Sequence, residues 1–196
     1  MLDYKILISI ITIILMFVGY IPYIKDTINN KTIPHTFTWL IWVFTVGITF
    51  ALQVKGGAGI GSLVTLVLFI VCFYIFILGL YKKNKDITWL DIIFLIFSLI
   101  ALLLWLVAKQ PVLSIVIIVI VDVLAFVPTI RKSWNNPHSE TLSLFEIVTI
   151  RHALSIFALQ QYNILTYLSP VASTLANLIF VIILIVRRKK LLKKKH

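Results

Sequence analysis

The chain is short of the residues that build most catalytic and metal centres. Its 196 residues include one cysteine and only seven acidic side chains. The lone Cys72 excludes an intramolecular disulfide and a thiolate metal site. The four histidines lack the spacing of metal ligands, and no paired carboxylates or nucleophile–base set is present. We therefore expect no cofactor and no enzymatic activity.

Charged residues are also scarce, at 13% of the chain, whereas hydrophobic residues make up 61% and the mean hydropathy is +1.07. A soluble domain would carry about 25% charged residues. Seven apolar runs of roughly 20 residues, the length that crosses a hydrocarbon core, account for this composition. They are 4–24, 37–54, 62–81, 90–108, 111–130, 142–160 and 164–186. Because no alternating strand pattern is present, we predict an all-α integral membrane protein with seven transmembrane helices.

The basic residues predict how these helices are oriented. One side collects fourteen lysines and arginines, and the other only three, which are Lys5, Lys55 and Lys109. Basic residues near span ends mark the cytoplasmic side, so the N-terminus is expected outside and the C-terminus inside. The "RRKKLLKKK" tail and the net charge of +11 then indicate contact with anionic lipid headgroups rather than nucleic acid. Abundant isoleucine, lysine and asparagine are typical of an AT-rich bacterium, which favours a bacterial inner membrane.

Two parts of the sequence repeat each other. The segment "YIPYIKDTINN" returns as "FVPTIRKSWNN", with Pro22 and Pro128 in register, and "FALQ" occurs at 50–53 and at 157–160. We therefore predict that helices 1–3 and 5–7 are copies. Because three is an odd number, helix 4 restores the orientation of the second copy and gives two parallel repeats. The predicted units are 1–85, 86–109 and 110–196.

This 3+1+3 plan, with a proline and a basic loop after the first helix of each copy, resembles the PQ-loop and SWEET-like transporter superfamily. Neither Pro22 nor Pro128 is followed by the glutamine of that superfamily, since tyrosine and threonine take its place. The resemblance implies two triple-helix bundles that rock about a central substrate site, with Pro22 and Pro128 as hinges. It also implies that Asn177 and Trp42 contact the substrate.

Polar side chains inside the runs mark a candidate substrate site. An ionisable residue within a membrane costs about 3 kcal/mol or more, so it usually faces a functional interior. Asp122, Arg151 and Asn177 lie about 13–15 Å from the predicted cytoplasmic edge, so they are expected to converge near the midplane. Ser173 shares the face of Asn177 at i and i+4. The candidates for proton coupling are Asp122, His152 and Glu146.

Several interpretations stay open. An ion pair between Asp122 and Arg151 would bind substrate or act only as a structural clasp, and serine and threonine in membrane helices often bond their own helix. Trp39 and Trp89 lie near span ends, where tryptophan forms an interfacial belt. The "GGAGIGS" segment (56–62) lacks the spacing of a phosphate loop, so we expect an external turn.

The leading hypothesis is a transporter of a small polar or zwitterionic metabolite that works by alternating access, with proton coupling left open. A binding receptor is the alternative, because the KDEL receptor shares the resembled architecture and grips a peptide terminus with charged cavity residues. The "WLIW" segment (39–42) resembles PnuC-type vitamin transporters, which share the 3+1+3 plan. The expected partners are a small-molecule substrate and membrane lipids, and a homo-oligomer stays open.

Overall fold

The computed structural model of the chain describes residues 4–30, 34, 36–81, 89–124, 130, 133–134, 137 and 142–193. Within these residues the chain forms seven α-helices whose bounds are defined. They are α1 (Tyr4–Ile28), α2 (Thr36–Lys55), α3 (Gly61–Tyr81), α4 (Trp89–Leu106), α5 (Pro111–Leu124), α6 (Leu142–Phe157) and α7 (Ile164–Lys193). Each helix begins within one residue of a predicted apolar run. The prediction of an all-helical chain is confirmed.

Four helices are long and apolar enough to cross a membrane, judged by length and composition. They are Tyr4–Ile28, Thr38–Lys55, Gly61–Tyr81 and Ile164–Lys190. α4 and α5 contain the shorter apolar stretches Ile92–Leu106 and Pro111–Leu124. The 16 residues of α6 form a continuous helix, but Glu146, Arg151 and His152 interrupt its apolar sequence. The helices are therefore compatible with a membrane protein.

Local sequence signals explain where several helices begin and end. α1 is followed by Asn30 with φ of 59°, and α2 by Gly57 with φ of 77°, both in the left-handed conformation that commonly ends a helix. The backbone N–H of Leu165 donates to Asn163 Oδ1 at 3.1 Å, so Asn163 caps the start of α7. α7 continues to Lys193, beyond the apolar run, because lysine, arginine and leucine favour a helix outside an apolar environment as well.

The helices pack in two triplets with the same internal order. α3 packs against both α1 and α2, and α7 packs against both α5 and α6. Among the described residues, the backbones of α1 and α2, and those of α5 and α6, do not approach each other closely, although Tyr20 and Tyr23 of α1 reach the Trp39 ring of α2. Between the triplets, α1 packs against α6 and α2 packs against α5, while α3 touches α6 and α2 touches α7. α4 packs against α2 and α5. Every contact between the triplets thus has a counterpart under exchange of the two triplets.

Polar side chains lie inside the bundle, and large apolar side chains cover its outside. Fully buried polar residues include Thr12, Thr45, Ser98, Ser114 and Thr166, all 0% exposed. Side chains that are more than half exposed include Leu7, Ile14, Ile70, Leu103 and Ile182. A soluble protein shows the reverse pattern, whereas in hydrocarbon the polar groups must be satisfied internally.

Most buried hydroxyl groups in the helices bond their own backbone. Thr12 donates to the Ile8 carbonyl at 2.7 Å, and Ser98 donates to the Phe94 carbonyl at 2.9 Å. Ser114 instead donates to the Ala101 carbonyl at 2.6 Å and so joins α5 to α4. The expectation that serine and threonine bond their own helix is thereby confirmed for most of these residues.

Prolines occur within two helices. The predicted hinge Pro22 is exposed inside α1, and Pro170 lies inside α7. Each deletes one backbone hydrogen bond from its helix, which gives a point of bending. The second predicted hinge, Pro128, lies outside the described residues, as does most of the "FVPTIRKSWNN" segment.

Candidate functional site

A cavity of about 520 Å³ lies between the two triplets of helices. This volume is in the range of small-molecule sites. Among the described residues, α1, α2, α3, α5, α6 and α7 line it, and α4 does not. The polar and aromatic lining residues are Tyr20, Tyr23, Thr38, Trp39, Trp42, Thr49, Gln53, Thr65, Cys72, Asp122, Phe145, Arg151, His152, Ser155, Ser169, Ser173 and Asn177.

Most of the site residues predicted from the sequence face this cavity. The structure brings together Asp122, Arg151, His152, Asn177, Trp42 and Ser173. Glu146 is not part of the lining and is exposed on α6. The position of Glu146 therefore gives no route by which this carboxylate would exchange a proton with the cavity.

Among the described residues, Arg151 is the largest fully buried side chain, at 2% exposure. Its Nη2 lies 2.5 Å from His152 Nε2, and its Nε has no hydrogen-bond partner. Because a guanidinium only donates, the His152 Nε2 in this contact must be the acceptor. The other polar neighbours are Tyr20 and Cys72, which carry no formal charge when protonated. A buried cation without a counter-ion is costly unless something else satisfies it.

Asp122 supplies the acidic group of the cavity from α5. The Thr45 hydroxyl faces this carboxyl group. The same hydroxyl oxygen lies 3.5 Å from the Trp42 carbonyl oxygen. The Asp122 Oδ1 atom is buried and has no hydrogen-bond partner. Asp122 also lines a second cavity of about 20 Å³ with Ser169 and Ser173, which has room for about one water molecule.

The predicted ion pair between Asp122 and Arg151 is not formed. Both side chains are described, but neither contacts the other, and each retains an atom without a partner. The prediction assumed that helices 5 and 6 are neighbours, whereas α7 packs between α5 and α6. The cavity therefore holds one acidic and one basic side chain that are not paired with each other.

Aromatic rings form one wall of the cavity, near the end of α1 and the beginning of α2. The Trp39 ring lies 5.5 Å from Tyr23, 6.4 Å from Tyr20 and 4.8 Å from Trp42, between centroids. Trp39 is only 6% exposed, so the interpretation of Trp39 as an interfacial tryptophan is wrong, whereas Trp89 is 74% exposed. Trp39 belongs to a buried apolar cluster to which α3 contributes Leu68 and Ile75.

Asn177 and Ser173 lie on the α7 side of the cavity. The Asn177 side chain is 4% exposed, and its Nδ2 donates to the Ser173 carbonyl at 2.8 Å. This bond fixes the amide plane against its own helix. The position that corresponds to Asn177 in the first triplet is Cys72, which is buried and also lines the cavity.

Sequence reasoning missed several lining residues. Tyr20, Gln53, Thr65 and Pro170 all face the cavity. Tyr20, Thr65 and Pro170 carry no pattern that separates them from lipid-facing or packing residues. Gln53 did carry a signal, because it ends the repeated "FALQ" segment and is a long polar side chain inside an apolar run.

The comparisons with known proteins give no relative for this arrangement. The chain matches no protein-family model, no curated protein and no solved structure. Within the ranges that the structure describes, no three histidine, cysteine, aspartate or glutamate side chains are grouped to hold a metal ion. The fold and cavity define a helical protein in which long apolar helices surround a cavity that contains acidic, basic and other polar side chains.

Proposed function

We propose that this chain is a membrane transporter that moves a small polar or zwitterionic metabolite through the central cavity. The observation that carries the proposal is that Asp122 and Arg151 both line the cavity of about 520 Å³ and are not paired with each other. Ionisable side chains within apolar helices are costly and mark substrate or ion pathways in membrane proteins.

A zwitterion satisfies both charges at once. Its anionic group accepts hydrogen bonds from Arg151, and its cationic group donates to the free Oδ1 of Asp122. A neutral sugar leaves both charges without a counter-ion, so it is a poorer fit to this cavity. The aromatic wall formed by Trp39 and Trp42, the two tryptophans of the segment that resembles PnuC-type vitamin transporters, favours a substrate that also has a planar ring.

The packing of the helices supports an alternating-access mechanism. The two triplets, α1–α3 and α5–α7, share one internal order and contact each other through matching pairs of helices. Such pseudo-symmetric bundles can rock about a site at their interface and expose it to either side of the membrane. In this proposal all seven helices are transmembrane, and the chain has no catalytic role.

The proposed location is a bacterial inner membrane, with the N-terminus outside and the C-terminus in the cytoplasm. The basic residues of the C-terminal tail would face anionic lipid headgroups on the cytoplasmic side. Two arginines of this basic segment also form hydrogen bonds within the protein. Arg187 Nε donates to the Trp134 carbonyl at 2.8 Å, and Arg188 Nε donates to the Pro137 carbonyl at 3.0 Å.

The first experiment is a thermal-shift screen of the purified protein with amino acids, vitamins and sugars, followed by uptake of the best ligand into liposomes. Asp122→Asn and Arg151→Gln should each weaken binding about 10-fold to 100-fold, since each loses a charge-assisted hydrogen bond. Thr149→Ala is the control on α6, because the Thr149 hydroxyl only bonds the Phe145 carbonyl of its own helix. Unchanged binding and uptake in both charge variants would refute the assignment of Asp122 and Arg151 to the substrate site.

The same experiment separates the transporter from the receptor. Ligand binding that needs Asp122 and Arg151 but is accompanied by no flux into liposomes would favour a binding receptor. Glu146→Gln tests Glu146 as a candidate for proton coupling. Because Glu146 lies outside the cavity lining, we expect proton-dependent uptake, if it is observed, to persist in this variant.

A further inference from the structure

The turn that follows the first "FALQ" segment touches the turn that contains most of the second one, across the triplets. The first segment (50–53) lies in α2, shortly before the turn at 56–60 between α2 and α3, whereas the second (157–160) begins at the last residue of α6 and forms the first half of the turn at 158–163 between α6 and α7. We call these two turns, with the side chains of Gln53 and Lys5 that tie them to the opposite triplet, the turn seal.

Backbone and side-chain hydrogen bonds join the two turns directly. The Gln160 N–H donates to the Ala58 carbonyl at 3.0 Å, and Asn163 Nδ2 donates to the Gly56 carbonyl at 2.6 Å. Both bonds run from the second triplet to the first. The turns are therefore bonded to each other, and do not only lie side by side.

Gln53 forms a third connection just beneath the turns. Its Nε2 donates to the Thr166 carbonyl on α7 at 3.1 Å, and its Oε1 accepts from the Thr65 hydroxyl on α3 at 2.6 Å. The side chain is 3% exposed, so these bonds satisfy an amide that would be costly to bury alone. Gln53 and Thr65 also line the cavity, so this connection is the part of the turn seal that closes the cavity itself.

Lys5 adds a fourth connection from α1. Its Nζ donates to the Leu159 carbonyl at 2.9 Å and lies 3.4 Å from the Gln160 carbonyl oxygen. The same ammonium group lies 5.7 Å from the centroid of the Tyr162 ring, within the range of a cation–π contact. Lys5 thus holds the turn of the second triplet to the beginning of the first.

We propose that the turn seal is the gate that closes the cavity at this end of the molecule, and that Gln53 and Lys5 hold it shut. The inference rests on the proposed transport function. Opening the cavity at this end requires the triplets to separate here, which breaks each of the four connections. Gln53 and Lys5 act as positioning residues, because they hold the turns and need not touch the substrate.

The single native cysteine provides the test. Cys72 is buried and lines the cavity, so its reaction with a membrane-impermeant thiol reagent reports access to the cavity. The rate is measured in right-side-out and in inside-out vesicles, which present the reagent from one side at a time. We expect Gln53→Ala and Lys5→Ala to speed the reaction about threefold to tenfold from the side of the turns, and the double variant to speed it further.

Lys55→Ala is the matched control, because Lys55 is an exposed lysine at the same end of the bundle, two residues after Gln53. It should leave the labelling rate unchanged. The gate is refuted if Gln53→Ala and Lys5→Ala label at the rate of Lys55→Ala. Equal acceleration from both sides would also refute it, because that result indicates general loosening. A melting temperature measured for each variant shows that the protein is folded.

This readout does not depend on the identity of the substrate. If the charge variants of Asp122 and Arg151 leave uptake unchanged while the labelling of Cys72 responds to Gln53 and Lys5, then the assigned substrate site fails and the gate stands. If uptake depends on both charges but labelling ignores the turn seal, then the gate fails and the substrate site stands.

Discussion

Arg151 contributes unfavourably to the stability of the empty protein. Its guanidinium has five N–H donors, and the described structure gives it one side-chain partner, His152, in a site with 2% exposure. Desolvation of a charge that lacks a counter-ion costs several kcal/mol. Such a cost is retained in a protein when a ligand supplies the missing partner, as it does in binding sites whose residues are arranged for function rather than stability.

This cost predicts that Arg151→Met stabilises the ligand-free protein. Removing an uncompensated buried charge and replacing it with an apolar side chain of similar length should raise the free energy of unfolding by about 1 kcal/mol or more. In detergent the melting temperature should therefore rise by about 2–4 °C. The same variant should lose the thermal shift produced by the ligand. A fall in melting temperature would show that Arg151 already has a stabilising partner in the empty protein.

The sequence was sufficient to find Asp122 and Arg151, because an ionisable side chain within an apolar run stands out without any knowledge of packing. It was not sufficient to pair them correctly. The distance between two side chains depends on which helices are neighbours, and the placement of α7 between α5 and α6 cannot be read from hydropathy. Tyr20 and Trp39 were missed as cavity residues because an aromatic side chain suits both a membrane interface and a buried wall, and the sequence does not distinguish the two.

Among the elements, helix starts were predicted well and helix ends less well. The apolar runs locate the start of every helix, but α1 extends to Ile28 and α7 to Lys193, into polar sequence. Hydropathy reports where the hydrocarbon ends, whereas a helix ends where the backbone leaves helical geometry. The signal at the end of α1 is Asn30 in the left-handed conformation, which an apolar pattern does not contain.

The turn between α2 and α3 depends on glycine at one position of close approach. A Cβ atom at Gly61 would lie 2.7 Å from the Ala158 carbonyl oxygen and 2.9 Å from the Leu159 Cα, both backbone atoms that cannot rotate away. Gly61→Ala should therefore push the two turns apart and lower the free energy of unfolding by about 1–3 kcal/mol.

Gly19→Ala is the control for Gly61→Ala. A Cβ atom at Gly19 would lie 3.5 Å from Leu144 Cδ1 and 3.7 Å from Ile147 Cγ2, at ordinary contact distances between α1 and α6. We expect this variant to keep the melting temperature of the unchanged protein within about 2 °C, since a single added methyl group fits there. Equal losses of stability in both variants would contradict the close approach of the turns.

At the scale of the whole molecule, the matching contacts between the triplets are the feature that connects the repeated sequence to the proposed transport mechanism. The repeated segments predict two copies, and the structure shows the same helix order in each triplet with paired contacts between them. Among the described helices α4 has no counterpart: it packs against both α2 and α5, whereas no described helix outside the triplets packs against both α1 and α6. The two sides of the cavity are therefore not equivalent, and we expect the uncovered contact of α1 with α6 to move more freely.

The number of helices that cross the membrane decides where the C-terminus lies. If only the four helices that meet the length and hydropathy criteria crossed, namely α1, α2, α3 and α7, the two termini would lie on the same side. If all seven helices cross, the termini lie on opposite sides. The seven basic residues between Arg187 and Lys195 favour the second arrangement, because with four spans and the basic α1–α2 connection inside, this tail would lie outside.

Reporter fusions distinguish the two arrangements. We expect a reporter fused after His196 to lie in the cytoplasm, and one inserted at 107–110, between α4 and α5, to lie outside. With four spans both positions reverse. A reporter after Asn30 is the control, because it follows α1 and lies in the cytoplasm in either arrangement. A C-terminal reporter found outside would contradict seven spans, and with them the two parallel copies on which the transport mechanism depends, since α5–α7 could no longer repeat the orientation of α1–α3.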